Sequence, residues 1–448
     1  MKSKKILYIN NLRILNPKQM KFSLFLIGFL TISLSFAQQK TIGLDESIRA
    51  ALNYSNDLKT GKLKVEEAEA AKKEAFASYF PSVNVTGVGM YGFNDLVPPI
   101  PGLSDQGIDN LYFAGATASE VLYAGGRVNK YNNLADAQVE ANQIRARQTR
   151  DSVILQTEKK YWGLVQLQEQ KNVLQSNEVY LNQLLKKQQD LLEAGLIAKN
   201  DLLKVRVTRS QLKLQKSKLD NRQKIAMLDF ALYTGIDYDT AMVAGDKFSE
   251  AVPPKMKYAS PNISVESNTS YQLLEKSITT SKLQTDVERA NLLPSISIGL
   301  SGSKLGSFDG SFESSFIPVA FGSISIPISD WWGEGRQKLK QQKIREEIAV
   351  NNLNNGKDEL RVMIMKSWYD LTDAYKQVEY AWENMQLAKE NLKVSEDNYD
   401  SGLVDLSNLL DAQRMLQEAE TELIAAYANY EKQESIYLYH TNQIEIPE

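Results

Sequence analysis

With no cysteine and a single histidine, His440, the chain has little from which to build reactive chemistry. Thiolate catalysis, disulfides, cysteine metal sites and lipid attachment at an N-terminal cysteine are excluded by composition. A Ser-His-Asp site or a His-rich metal site lacks its parts, and His440 reads as a surface side chain. Glycine pairs occur at Gly125-Gly126 and near Gly335, but neither runs into Gly-Lys-Ser/Thr, so a phosphate loop does not fit. Gly126 and Gly335 read as structural, letting strand swing into helix. What stands out instead is a recurrence. Residues 194–203 read AGLIAKNDLL and residues 401–410 read SGLVDLSNLL. Each ends a long polar segment on Gly-Leu, and Gly195 and Gly402 suit helix C-caps, where glycine enters the left-handed conformation cheaply.

Bulk composition narrows the class. Hydrophobic residues make 43% of the 448 and charged residues 24%, which separates the chain from disordered sequences. A net charge of -3 gives no basis for a nucleic-acid partner. Residues 1–37 read as a signal peptide: from Met20 a basic residue precedes an apolar run, and Ser35 and Ala37 suit cleavage before Gln38. The competing reading is a membrane anchor, for which the apolar run is short. Met20 is a second candidate start.

Proline divides the rest. None lies between Pro101 and Pro253, or between Pro327 and Pro447, so two very long stretches are free to be helical. Ile364, Trp368, Leu371, Tyr375, Val378, Trp382, Met385, Leu392 and Tyr399 keep coiled-coil spacing. Leu164, Leu167, Leu174, Leu181 and Leu184 form a looser seam in the first half. Between the helical stretches, Ile296, Ile298 and Leu300 alternate with Ser295, Ser297, Gly299 and Ser301. Ile324, Ile326 and Ile328 do likewise with Ser323, Ser325 and Pro327. Period two, apolar against small polar, predicts strands with two unlike faces.

The recurrence extends over the whole chain. Gly195 and Gly402 are 207 residues apart, as are Tyr161 and Trp368; upstream the offset drifts, to 213 between Pro81 and Pro294. A tandem duplication results: residues 38–260 with strands at about 82–92 and 111–123 and a turn at about 194–201, then residues 261–448 with strands at about 295–303 and 315–328 and a turn at about 401–408. Each half reads short helix, two strands, long helix, turn, shorter helix. The long helices would reach ~100 Å at ~1.5 Å per residue, and two shorter ones stacked end to end would match one of them. Four strands of roughly ten residues suit a tilted membrane crossing, yet cannot close a barrel. Three copies would supply twelve.

These residues resemble the TolC-like outer membrane efflux proteins of Gram-negative bacteria. The resemblance rests on the duplicated order, on SYFPSVNV and NLLPSISI entering the strands, on YAGGR and WGEGR leaving them, and on the two Gly-Leu turns. It implies a mainly α fold with β: long coiled-coil hairpins, and a trimeric twelve-stranded barrel in the outer membrane above a periplasmic α-helical tunnel. It implies an exit duct for small molecules or polypeptides, without enzymatic activity, cofactor or metal. The implied partners are a periplasmic adaptor and an inner-membrane pump. Gly195, Leu196, Gly402 and Leu403 match the adaptor-docking tip. Tyr399, Asp201, Asp411 and Asn408 match gate positions, with Asp411 in an acidic ring and Tyr399 latched to Asp201. Val404 stands where a basic latch residue is expected. The alternative is a structural coiled-coil rod of the envelope with no pore, which leaves the two-faced strands without a role.

Overall fold

The computed structural model describes residues 41–99, 107–259, 261, 264–310 and 312–447. The expected signal peptide and both candidate starts lie outside these residues. Helices dominate. In chain order the elements are β1 (Thr41–Ile42), α1 (Leu44–Tyr54), α2 (Asn56–Ala77), β2 (Ser82–Tyr91), β3 (Asn110–Ala124), α3 (Arg127–Glu193), α4 (Lys199–Thr234), β4 (Val243–Ala244) and α5 (Pro254–Lys257). Then come α6 (Thr269–Asn291), β5 (Ser295–Gly306), β6 (Ile317–Ser325), a 3-10 turn (Ile328–Trp331), α7 (Glu334–Asp400) and α8 (Leu406–His440).

The two proline-free stretches become α3 and α7, each 67 residues long and so about 100 Å at a rise of ~1.5 Å. Gly126, in the left-handed region at φ 76°, opens α3. Shorter helices lie along each column. α1, α2 and α4 pack on α3, while α6 and α8 pack on α7; α6 and α8 also pack on α3. The end-to-end stacking is direct: Asn268 Nδ2 donates to the His440 carbonyl at 3.0 Å, while the same side chain caps α6 by accepting from the Ser270 N–H. The tip-ward core is shared by both hairpins. Leu181, Leu184 and Leu185 of α3 meet Leu202 and Val205 of α4, Leu392 of α7, and Leu406 and Leu409 of α8.

Two expectations about side chains are corrected. The α7 seam runs Ile364, Trp368, Leu371, Ala374, Val378, Ala381, Ala388 and Leu392. Tyr375 sits at its margin and Trp382 is exposed. Alanines let the helices approach where a Trp would hold them apart. His440 is half-buried rather than superficial, edge-on to Tyr439, and burial lowers its pKa.

The linker between the halves straps the columns together. β4 pairs in parallel with β1, and Tyr161 donates to the Ile42 carbonyl at 3.0 Å. Phe248 stacks between Trp162 of α3 and Tyr427 of α8, with ring centres 5.8 Å away on each side. Beyond it, Glu434 accepts from Lys257 and from the Tyr258 hydroxyl, both at 2.7 Å. Burial and the neighbouring Glu434 push Glu431 up to about 7.

Candidate functional site: the membrane sheet and the helical tip

The four longer strands form one antiparallel sheet in the order β2-β3-β5-β6. Its register sorts the residues by face. Val85, Ala116, Ala118, Ile298, Leu300, Ala320 and Ile324 share one face; Asn84, Thr117, Ser119, Ser297, Ser301 and Ser323 share the other. Along the first half of β5 the isoleucines and leucine are exposed and the serines half-covered. Hydroxyls pair across strands there, Ser82 with Ser119 and Ser297 with Ser323, each at 3.0 Å. Aromatic side chains bracket the apolar band: Phe76, Phe80, Trp331 and Trp332 at one end, Phe93, Phe308 and Phe316 at the other. At ~3.4 Å per residue and a ~40° tilt, ten residues span about 25 Å, the height of an outer-membrane apolar band. Among the described residues, β2 and β6 each keep one edge without a strand partner. In lipid an open edge is intolerable, because its N–H and C=O groups find no water.

At the far end of the helices lie the two turns. In the first, the Gly195 N–H donates to the Leu192 carbonyl at 3.0 Å and the Leu196 N–H to that of Leu191 at 2.9 Å. In the second, Gly402 and Leu403 donate to Tyr399 and Asn398 at 3.0 and 2.8 Å. Both are Schellman caps with glycine at positive φ, 73° and 72°. Open space surrounds both glycines, so backbone conformation alone demands them. In this motif the residue after glycine commonly packs back on the helix. Here Leu196 is 71% and Leu403 75% exposed. The two turns thus present apolar side chains outward. The second helix is further fixed by Asp405, whose carboxylate accepts from the Asn408 N–H at 3.0 Å.

The expected gate residues are distributed as follows. Tyr399 and Asp201 share no bond. The Tyr399 hydroxyl accepts from Gln188 of α3 at 2.8 Å, and Lys187 lies 5.7 Å from its ring centre. Gln188 is fully buried, and its Oε1 has no hydrogen-bond partner among the described residues. Asp201 pairs with Lys204 on its own helix at 3.4 Å. Asp411 is exposed on α8 and pairs with Arg414 at 3.5 Å; Arg414 also meets Glu418 at 3.0 Å. Glu418 first and Asp411 second raise the Arg414 pKa. Asn408 is exposed one turn before Asp411. Gln188, Lys187, Lys204 and Arg414 escape sequence reading. Arg414 and Lys204 leave a trace there, Arg414 standing three residues after Asp411 and four before Glu418, and Lys204 three after Asp201.

No group of three or more His, Cys, Asp or Glu able to hold a metal occurs among the described residues, and none of their helices is long and apolar enough to cross a membrane. A two-faced sheet joined to ~100 Å helical columns has the dimensions of a membrane strand band and a long helical extension. The chain belongs to the outer membrane efflux protein family, whose profile matches residues 47–235 and 266–439. It is an outer-membrane efflux channel, with its helical part in the periplasm of a Gram-negative cell. Solved structures share the fold at low identity. The Campylobacter jejuni CmeC outer membrane channel matches with a TM-score of 0.73 at 17% identity, over 90% of this chain and 87% of that one. The Vibrio cholerae outer membrane protein VceC gives 0.75 at 13%, over 89% and 95%. The open state of the Neisseria gonorrhoeae MtrE outer membrane channel gives 0.70 at 16%, over 89% and 88%. Among curated proteins, none matches the sequence directly.

Proposed function

We propose that three copies close the sheet into a twelve-stranded barrel and their helices into one tunnel, a passive exit duct fed by an inner-membrane pump through a periplasmic adaptor. The observation that carries this reading is the sheet: two open edges and an exposed apolar face in a strand band of membrane height. A rod-like envelope protein has no use for such a sheet. The adaptor docks on the turns at Gly195, Leu196, Gly402 and Leu403, where exposed leucines await a partner's apolar surface. The gate sits beside them, at Tyr399, Asp201, Asp411 and Asn408. Tyr399 and Asp201 act through separate contacts, Gln188 and Lys204 respectively. Three Asp411 carboxylates brought into a ring repel one another, and Arg414 on the same face tempers that repulsion.

Planar-bilayer conductance and oligomeric mass, measured on one detergent-extracted sample, test the reading. A trimer giving small discrete steps is expected. An elongated species that never inserts overturns it in favour of the rod. Tyr399→Phe combined with Asp201→Asn should raise conductance; unchanged conductance removes both from the gate.

A further inference from the structure

We infer that the outer wall of α7, just below the strand band, binds the headgroups of anionic phospholipids in the periplasmic leaflet of the outer membrane. The inference rests on the barrel reading, in which the apolar face of the sheet looks outward, and adds a headgroup class to it.

The first turns of α7 carry Arg336, Lys340 and Lys343, all exposed. Spacings of four and three residues put them on one stripe, with neighbours ~5–6 Å apart at Cβ. None of the three forms an ion pair among the described residues, whereas Lys338 in the same turns pairs with Glu334 at 2.7 Å. The next acid on the stripe is Glu347, one turn beyond Lys343.

Handedness fixes where the stripe points. The Leu305 carbonyl accepts from the Ser314 N–H at 2.7 Å, so odd residues of β5 bond toward β6 and even ones toward β3. In a rising strand of L-residues, a side chain aimed at the viewer has its own N–H and C=O to the right. Seen from the apolar side, with Ile296, Ile298 and Leu300 toward the viewer, β3 is therefore right of β5 and β6 left of it. α6 enters β5 and α7 leaves β6, so α6 lies to the right of α7. Gly335, Leu339, Gln342 and Glu346 are the half-covered seam of the first turns, and a Cβ at Gly335 would lie 2.7 Å from Leu292, at the end of α6. Arg336, Lys340 and Lys343 each follow a seam residue by one position, ~100° further round. On a right-handed helix descending from the sheet, that rotation carries them from the α6 side to the outer wall.

Their level matches the headgroups. Trp331 and Trp332, both exposed, stand immediately above the stripe, and Trp331 Nε1 donates to the Leu292 carbonyl at 2.8 Å. Indole rings settle at the membrane–water interface. From Glu334 to Lys343 the helix descends about 14 Å. Helical side chains lean toward the N-terminus, here the membrane end, and long basic stems carry their charge further that way. The fold itself does not ask for these cations. The matching stripe of α3, 207 residues earlier, carries Asn129, Asn133 and Asp136, and Asp136 already pairs with Lys72 at 2.8 Å. Beside α7, the outer face of α6 adds Lys282 and Arg289, with Asp286 pairing Arg289 at 2.9 Å. A surplus of positive charge beneath an aromatic belt fits a negatively charged phosphate headgroup.

The test is lipid retention by the full-length channel in non-ionic detergent, titrated with phosphatidylglycerol or phosphatidylethanolamine and read by native mass spectrometry. A cation beside anionic lipid is worth roughly fivefold in affinity. Wild type should prefer phosphatidylglycerol, and the preference should shrink with salt. Arg336→Gln, Lys340→Gln and Lys343→Gln should each lose roughly fivefold of it, and the triple variant all of it. Arg336→Lys combined with Lys340→Arg and Lys343→Arg should keep it. Lys338→Gln with Arg345→Gln, on the opposite wall, should leave it unchanged. Equal retention of the two lipids by wild type overturns the inference. So does a triple glutamine variant that keeps the wild-type preference, the result expected of a patch built for an acidic protein. Where the triple variant fails to assemble, the wild-type comparison and the single variants decide.

Conductance and heat-modifiable migration on the same samples separate the lipid site from the barrel. A wild type that assembles and conducts without headgroup preference removes the lipid site and leaves the barrel. A wild type that neither assembles nor conducts removes both.

Discussion

Leu300 and Ser301 are neighbours in the middle of β5 that face opposite ways, so the same substitution at each reads the sheet's sidedness. Leu300 is 65% exposed and lies between Ala118 and Ala320; Ser301 lies between Thr117 and Val319. Arginine on a lipid face near the bilayer midplane costs about 2–4 kcal/mol per copy. In the proposed trimer three copies bring the cost of Leu300→Arg to about 6–12 kcal/mol per channel, as large as the whole stability of a typical domain. Ser301→Arg places the same charge in water and costs little. The assay is heat-modifiable migration of the outer-membrane fraction, followed by reversal potential under a KCl gradient. Leu300→Arg should lose the assembled species. Ser301→Arg should assemble and shift selectivity toward anions. Normal insertion of Leu300→Arg together with failure of Ser301→Arg would refute the assignment of faces.

Leu371→Ala, at a fully buried position beside Trp368 and Ala374, should cost about 2–5 kcal/mol in denaturant unfolding, with Val362→Ala on the exposed face near neutral. Gly195→Ala and Gly402→Ala should each cost about 1–2 kcal/mol through the left-handed backbone alone, seen as faster hydrogen exchange confined to the tip, and asparagine should be milder. Glu431, pushed up to about 7, binds its proton more tightly folded than unfolded. It therefore weakens the fold as pH rises from the usual carboxylate range through about 7. Glu431→Gln should match wild type in Tm under acidic conditions and exceed it in mildly alkaline buffer; equal Tm values throughout would sink that account. Phe248→Ala should lower Tm by removing two stacked contacts at once.

The fold class is legible in the sequence because its signals are long and repeated. Absence of proline over more than a hundred residues, glycine at both turns and period-two strands each point the same way. The seam of α7 is legible only in part. Apolar spacing favours Tyr375 and Trp382, but close packing puts Ala374 and Ala381 inside, since residue size decides which of two adjacent positions fits a narrow groove. β1 and β4, two residues each, carry no periodicity to read. The contacts at the tip join residues more than two hundred positions apart through single polar side chains, such as Gln188 to Tyr399, and nothing local announces them. The expected direct link between Tyr399 and Asp201 came from resemblance, and this chain uses other partners for each.

The open edges of β2 and β6 have a consequence for biogenesis. A protomer with both edges unpaired has no stable place in the bilayer, so insertion and association must occur as one event. The rate of that event rises with protomer concentration, to a power set by how many copies close the ring. Before it, each newly exported chain holds an apolar face and two hydrogen-bonding edges in an aqueous compartment, the features that drive edge-to-edge aggregation. Expression level and holding chaperones should therefore control how many channels a cell displays more tightly than the stability of the folded helices does.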